Sequence, residues 1–165
     1  MGLGSMPKFL NTDDAGVCVR ECVEFVFGKN ITKGKDLHVV VLVPSVKFAE
    51  DYPDHEVIPK VLVEVSFFGQ KDEWKHDYAD IARCKASQIW DGRSDGSQIQ
   101  PHLLVQSEVP FFGGVKREGI VVACSGVEPY FDRMISGMIA DMLIGLARHA
   151  WETSNDKKNG VDNLT

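Results

Sequence analysis

Long apolar runs are missing from this chain. No stretch approaches the roughly 20 consecutive apolar residues that span a bilayer, and no basic flank followed by an apolar run marks a secretory leader. A membrane partner is therefore not expected. An excess of positive charge is missing as well: 18 Lys and Arg stand against 24 Asp and Glu, a net charge of -6. The basic residues are scattered, with Lys29, Lys33 and Lys35 the nearest thing to a cluster, so nothing offers the counterion-releasing footprint of a nucleic-acid binder. Cysteine is scarce. Cys18, Cys22, Cys84 and Cys124 contain no CxxC pair, which argues against a structural zinc site. Cys18 and Cys22, one helical turn apart, read better as small core fillers than as a shared ligand pair. Reduced thiols in segments that read as buried predict a cytoplasmic protein.

Catalytic signatures are equally sparse. Ser125 lies in Ala-Cys-Ser-Gly rather than Gly-x-Ser-x-Gly, and no histidine is placed by sequence to serve it. Gly113-Gly114 is too short for a phosphate cradle and no matching helix follows it. It reads as a turn with positive φ, or as a place where a backbone or flat ligand comes close, and Phe111 and Phe112 beside it read either as a stacking wall or as core. The histidines His38, His55, His76, His102 and His149 show no HExxH or His-x-His spacing. Nothing here establishes an enzyme.

What is present is architecture. At 165 residues the chain fits one domain, expected over residues 7–152. Residues 1–6, with two glycines and a second methionine, read as an expression remnant, and 153–165 as a polar, flexible tail. Asn11-Thr12-Asp13-Asp14 caps a first helix whose inner face is Val17, Cys18, Cys22, Phe25 and Val26, ending near Gly28. The β-branched run from Asp36 to Val43 predicts a central strand stopped by Pro44, and Val57 to Phe68 an antiparallel partner across a long polar connection. Asp72 to Trp90 reads as a second helix, with Trp74, Tyr78, Ile81, Ala82, Lys85, Ala86 and Ile89 on one face. A polar loop follows from Asp91 to Ser97, and Leu103-Leu104-Val105 reads as strand or helical turn alike. Glu118-Gly119 separates two runs able to pair, of which Gly119 to Ala123 is the firmer strand.

A last helix opens at Pro129 and carries a wide apolar stripe from Met134 to Trp151, leaving Asp132, Arg133, Asp141 and Arg148 outside it. Its N-terminus, after the Ser125-Gly126 corner, offers donors to an anion unless Glu128 already occupies them. Lys85, on the apolar side of helix two, either snorkels to solvent or pairs with a carboxylate-bearing ligand. The order predicts an α+β domain, an antiparallel sheet with helices on its faces.

Several of these residues together resemble a known family. The run Asp80-Ile81-Ala82-Arg83-Cys84-Lys85-Ala86, then Phe112-Gly113-Gly114-Val115, Gly119, Ala123-Cys124-Ser125-Gly126, Asp132 and the opening Leu10 to Ala15 resemble the GlcG/HbpS-like (haem-degrading-domain-like) family over about Leu10 to Trp151. The resemblance implies a profilin-like fold, a homo-oligomer, and a small-molecule ligand that is haem or a related anionic cofactor. It places Lys85, Phe112, Gly113, Gly114, Ser125 and Gly126 at the ligand; if that ligand is haem, His76 and His102 are the histidines to consider as its axial ligand. The chain departs from the family at Lys116, where proline is usual, at Val127, where glycine is usual, and in the insertion Ser45 to Pro59. Three functional expectations follow: a noncatalytic binding protein, an enzyme of oxidative haem degradation, and a scaffold that uses its profilin-like sheet only to make interfaces.

Overall fold

Asn11 caps α1 (Thr12–Gly28): its side-chain oxygen accepts the backbone N–H of Asp13 at 2.7 Å and of Asp14 at 3.3 Å, and the two acids sit in the positively polarised first turn. The 3–4 spacing of Cys18, Val19, Cys22, Val23 and Val26 then turns one face inward, and all five are buried. Val17 and Phe25, expected on that face, are exposed on its flank. The computed structural model describes residues 5–46, 57–69 and 74–165.

After α1 come, among the described residues, β1 (Leu37–Val46), β2 (Val57–Phe67), α2 (Tyr78–Trp90), a 3-10 turn (Pro101–Leu103), β3 (Gly114–Arg117), β4 (Ile120–Ser125), α3 (Pro129–Glu152) and a short α4 (Asn155–Asn159). Among the described residues the strands form one sheet of order β2-β1-β4-β3, each neighbouring pair antiparallel. Alternation along β1 divides the core. Leu37, Val39, Val41 and Val43 join Val122 and Cys124 of β4 against α1 and α3, with Ile135, Ile139 and Leu143 packed onto them. Val40 and Leu42, with Val121 and Ala123, meet Ala82, Ala86 and Ile89 of α2 on the other face. A strand covered on both faces explains the near-continuous apolar run in its sequence. The fold is α+β, with helices on both faces of an antiparallel sheet.

Several details differ from the sequence reading or decide what it left open. Pro44 does not stop β1, because β4 pairs with β1 only between His38 and Leu42, and Pro44 lies beyond it opposite Pro59 on β2. Helix two opens only at Tyr78, capped by Asp77, whose carboxylate accepts the Asp80 N–H at 3.0 Å. Trp74 precedes it, stacked on Phe68 with its indole N–H on the Phe67 carbonyl at 3.1 Å. Leu103 closes the 3-10 turn, while Leu104 and Val105 belong to no strand. The polar segment after Glu152 carries α4, where buried Asp156 gathers the Lys8 ammonium and the Thr165 hydroxyl. Ser5, within the segment read as a remnant, bridges Val46 through both backbone groups. Residues 1–4, the centre of the Ser45–Pro59 connection at 47–56 with His55, and 70–73 with Asp72 lie outside the described residues. Among the described residues no helix is long and apolar enough to cross a membrane.

Candidate functional site

The α2 face that meets the sheet is built from small and aliphatic side chains, Ala82, Ala86 and Ile89, and Lys85 falls within that stripe. Its side chain does not escape to water. Only 3% exposed, Lys85 donates from Nζ to the Cys124 carbonyl at 2.9 Å and to Asp132 Oδ2 at 3.0 Å. Asp132, one turn into α3 and 1% exposed, accepts the Val127 N–H on Oδ1 at 3.3 Å, and its own carbonyl accepts the Ser136 hydroxyl at 2.7 Å. The ion pair thus joins the helical layer on one face of the sheet to the layer on the other, around the end of β4. Burial pushes the Asp132 carboxyl up to about 7, against the pull of the Lys85 ammonium.

Two glycines make room for this arrangement. Gly113, at φ 138°, sits so close that a Cβ on it would lie 2.6 Å from Asp132 Cβ and 2.9 Å from Lys85 Nζ. Gly126, at φ 145°, crosses the start of β1, where a Cβ would lie 2.2 Å from the Asp36 carbonyl oxygen. The loop that delivers Gly113 is clamped by a bidentate pair, Arg93 to Glu108 at 2.6 and 2.7 Å, with Arg93 also on the Leu103 carbonyl and Glu108 on the Val105 N–H. That clamp holds the Glu108 carboxyl down at about 2.

Above the pair opens a cleft of about 280 Å³. Lys85, Asp132 and Ser125 lie at its base, all nearly buried, and Gly126, Val127 and Pro129 line the side nearest α3. Tyr78, Ile81 and Phe111 form the remaining wall, with exposed His76 at the rim. The Glu128 side chain makes no cap hydrogen bond; its carbonyl accepts the Phe131 and Asp132 N–H groups instead, so the Asp132 carboxylate, not Glu128, serves the corner.

Of the residues expected at a ligand, Lys85, Ser125 and Gly126 line the cleft, and Gly113 stands directly behind its charged floor. Gly114 pairs with Ala123 inside the sheet, and a Cβ there would meet Ile89 Cδ1 at 2.6 Å, so its smallness serves packing. Phe111 lines the cleft where Phe112 does not. His76 is at the rim, whereas His102 sits exposed in the 3-10 turn, outside the cleft lining. Asp132 is the main correction. The sequence leaves it outside the apolar stripe of the last helix, yet it is among the most buried polar residues of the described chain. Its signal was Lys85, a charge in an apolar stripe that demands a partner. Tyr78 had no signal beyond its place on the inner face expected of helix two.

Other groups are spent elsewhere. His38 is buried between Ser66 Oγ at 2.9 Å and Glu64 at 2.6 Å, and Glu64 also takes Arg83 at 3.0 Å. Burial pushes the Cys124 thiol up, and Cys18 is pushed up by its contact with Cys22 and by burial, so both stay protonated core fillers. Among the described residues no group of three or more His, Cys, Asp or Glu is placed to hold a metal ion. A larger groove of about 530 Å³ runs past Phe9, Ile144 and Trp151. Its cations are engaged, Lys8 by Asp156 and Arg148 by Glu152 at 3.8 Å, and no buried charge faces it. Convergent buried polar groups and a perturbed carboxyl favour the smaller cleft as the functional one.

No protein-family model, no curated protein and no solved structure matches the chain.

Proposed function

We propose that the chain is a noncatalytic small-ligand-binding protein whose site is the cleft over Lys85 and Asp132. The observation that carries this reading is a fully buried ion pair at the floor of an open cleft. An ion pair withdrawn from water is costly unless its remaining hydrogen-bonding capacity is used, and a hydrophobic pair of similar volume would serve stability as well or better. Its position under Tyr78, Phe111 and Ser125 fits recognition of a small flat molecule with a polar edge.

Haem is one ligand of this kind. At about 280 Å³ the cleft lies just below the roughly 300–1,000 Å³ of pockets that engulf drug-sized ligands. It does not fit a whole macrocycle; a porphyrin would enter by one edge, and of the two candidate histidines only His76 lines the cleft and could supply a ligand to its iron. A profilin-like, GlcG/HbpS-like identity fits the element order and remains part of this proposal.

The test is an optical titration with hemin, joined to amide-resonance mapping with small planar acids. The expected result is a shift map gathered on Tyr78, Phe111, Ser125, Gly126 and Val127, and a Soret change that His76→Ala removes and His102→Ala leaves. A map gathered on Phe9, Ile144 and Trp151, or no response to any probe, overturns the reading in favour of a scaffold. The same proposal makes the chain a homo-oligomer through the exposed seam of Val17, Met142 and Leu146, flanked by acidic Asp14 and Glu21 on α1 and by His149 on α3. A two-fold partner would set acid against base. Light scattering that returned 18.3 kDa at high concentration would remove that part.

A further inference from the structure

The base of the cleft has one donor to spare. An ammonium carries three N–H groups, and Lys85 Nζ spends two, on the Cys124 carbonyl and on Asp132 Oδ2. The third has no acceptor among the described residues, although the side chain is 3% exposed and lines the cleft. Ser125, 4% exposed, lines the same space. Both are polar side chains more than nine-tenths buried, beside the N-terminus of a 24-residue helix. This donor set suits an oxyanion, and the aromatic wall of Tyr78 and Phe111 suits a planar one.

Charge then sets a condition. With Asp132 ionised the floor is neutral, and an entering anion would bring an uncompensated negative charge within reach of a buried carboxylate. In a low-dielectric cleft that arrangement is strongly unfavourable. With Asp132 protonated the floor carries the single positive charge of Lys85, and the anion completes a new pair. We propose that the cleft binds a small carboxylate together with one proton, the anion held by Lys85 and the proton by Asp132. No bond is made or broken other than to that proton, which comes from solvent. The inference rests on the cleft being the ligand site and specifies how it is occupied.

The titratable groups facing Asp132 are Lys85 and Tyr78 from α2, Cys124 from β4 and Glu128 from its own helix, with His76 at the rim. Burial pushes both the Tyr78 hydroxyl and the Cys124 thiol up, so neither loses a proton near neutrality. Glu128 has the same sign as Asp132 and reinforces proton uptake there. His76 is separated by substitution.

Benzoate is the probe, titrated calorimetrically into the intact protein between pH 6 and 9 in buffers of different ionisation enthalpy. The expected affinity is level at the acid end and falls about tenfold per pH unit at the alkaline end, with close to one proton taken up per benzoate there. His76→Gln should leave that slope in place. Asp132→Asn, checked for folding by its thermal transition, should bind with no proton uptake and no slope. Lys85→Met should lose benzoate affinity at all pH values. Benzoate that shifts the cleft resonances with pH-independent affinity and no proton uptake overturns the inference while the binding reading stands. Benzoate that leaves those resonances unmoved also overturns it, and the binding reading is then decided by hemin alone.

Discussion

Gly113 shows how narrowly single residues define the site. Its missing side chain is the space that Asp132 Cβ and Lys85 Nζ occupy, and its φ of 138° is closed to most L residues. Asp132 itself gives the pH signature. Because its carboxyl is raised to about 7 by burial, the folded chain holds a proton that the unfolded chain releases from the ordinary carboxylate range upward. Stability contributed by that proton is full at low pH, declines as pH rises through the window, and is gone above about 7. Asp132→Asn should remove this decline, so that the stability difference between variant and wild type grows in the variant's favour from about pH 4 to 7. Urea unfolding across that range measures it, and parallel curves would show that Asp132 is ionised throughout. The residue reading reached Lys85 because a lysine in an apolar stripe breaks the pattern. It missed the burial of Asp132 because periodicity sorts an acid to the solvent side, and the partner that buries it lies 47 residues away.

Among the elements, the hairpin between β3 and β4 is the one most fully written in local sequence. Glu118 and Gly119 both adopt positive φ, 47° and 87°, the two-residue turn whose twist matches paired strands. Gly119 suits it, whereas Glu118 is strained there, since the left-handed region costs a β-carbon residue roughly 1–2 kcal/mol. Asn tolerates that region better, so Glu118→Asn should stabilise the protein by up to about 1 kcal/mol, read as a raised melting temperature; an unchanged or lowered one would mean that Glu118 does something else. The strands and α3 were legible for the same reason, their pattern being carried within the element. The limit at Pro44 was not, because a proline ends a strand only where a neighbour needs its N–H, and the extent of β4 alongside β1 is a tertiary fact. Trp74 was drawn into α2 by its spacing, although the side chain that starts the helix is the Asp77 cap.

For the molecule as a whole, the arrangement that matters is β1 enclosed between α1 and α3 on one side and α2 on the other. Lys85 and Asp132 bind those two layers to each other at one end. The β1 backbone from His38 to Leu42 is paired with β2 and β4 at once, so its amides open only when both layers part. Deuterium uptake at Val39, Val40 and Val41 should therefore proceed solely through complete unfolding. An occupant seated at the charged floor would slow that uptake by the same factor by which it shifts the folding equilibrium. The innermost strand becomes a gauge of occupancy, readable even at positions that no guest can touch.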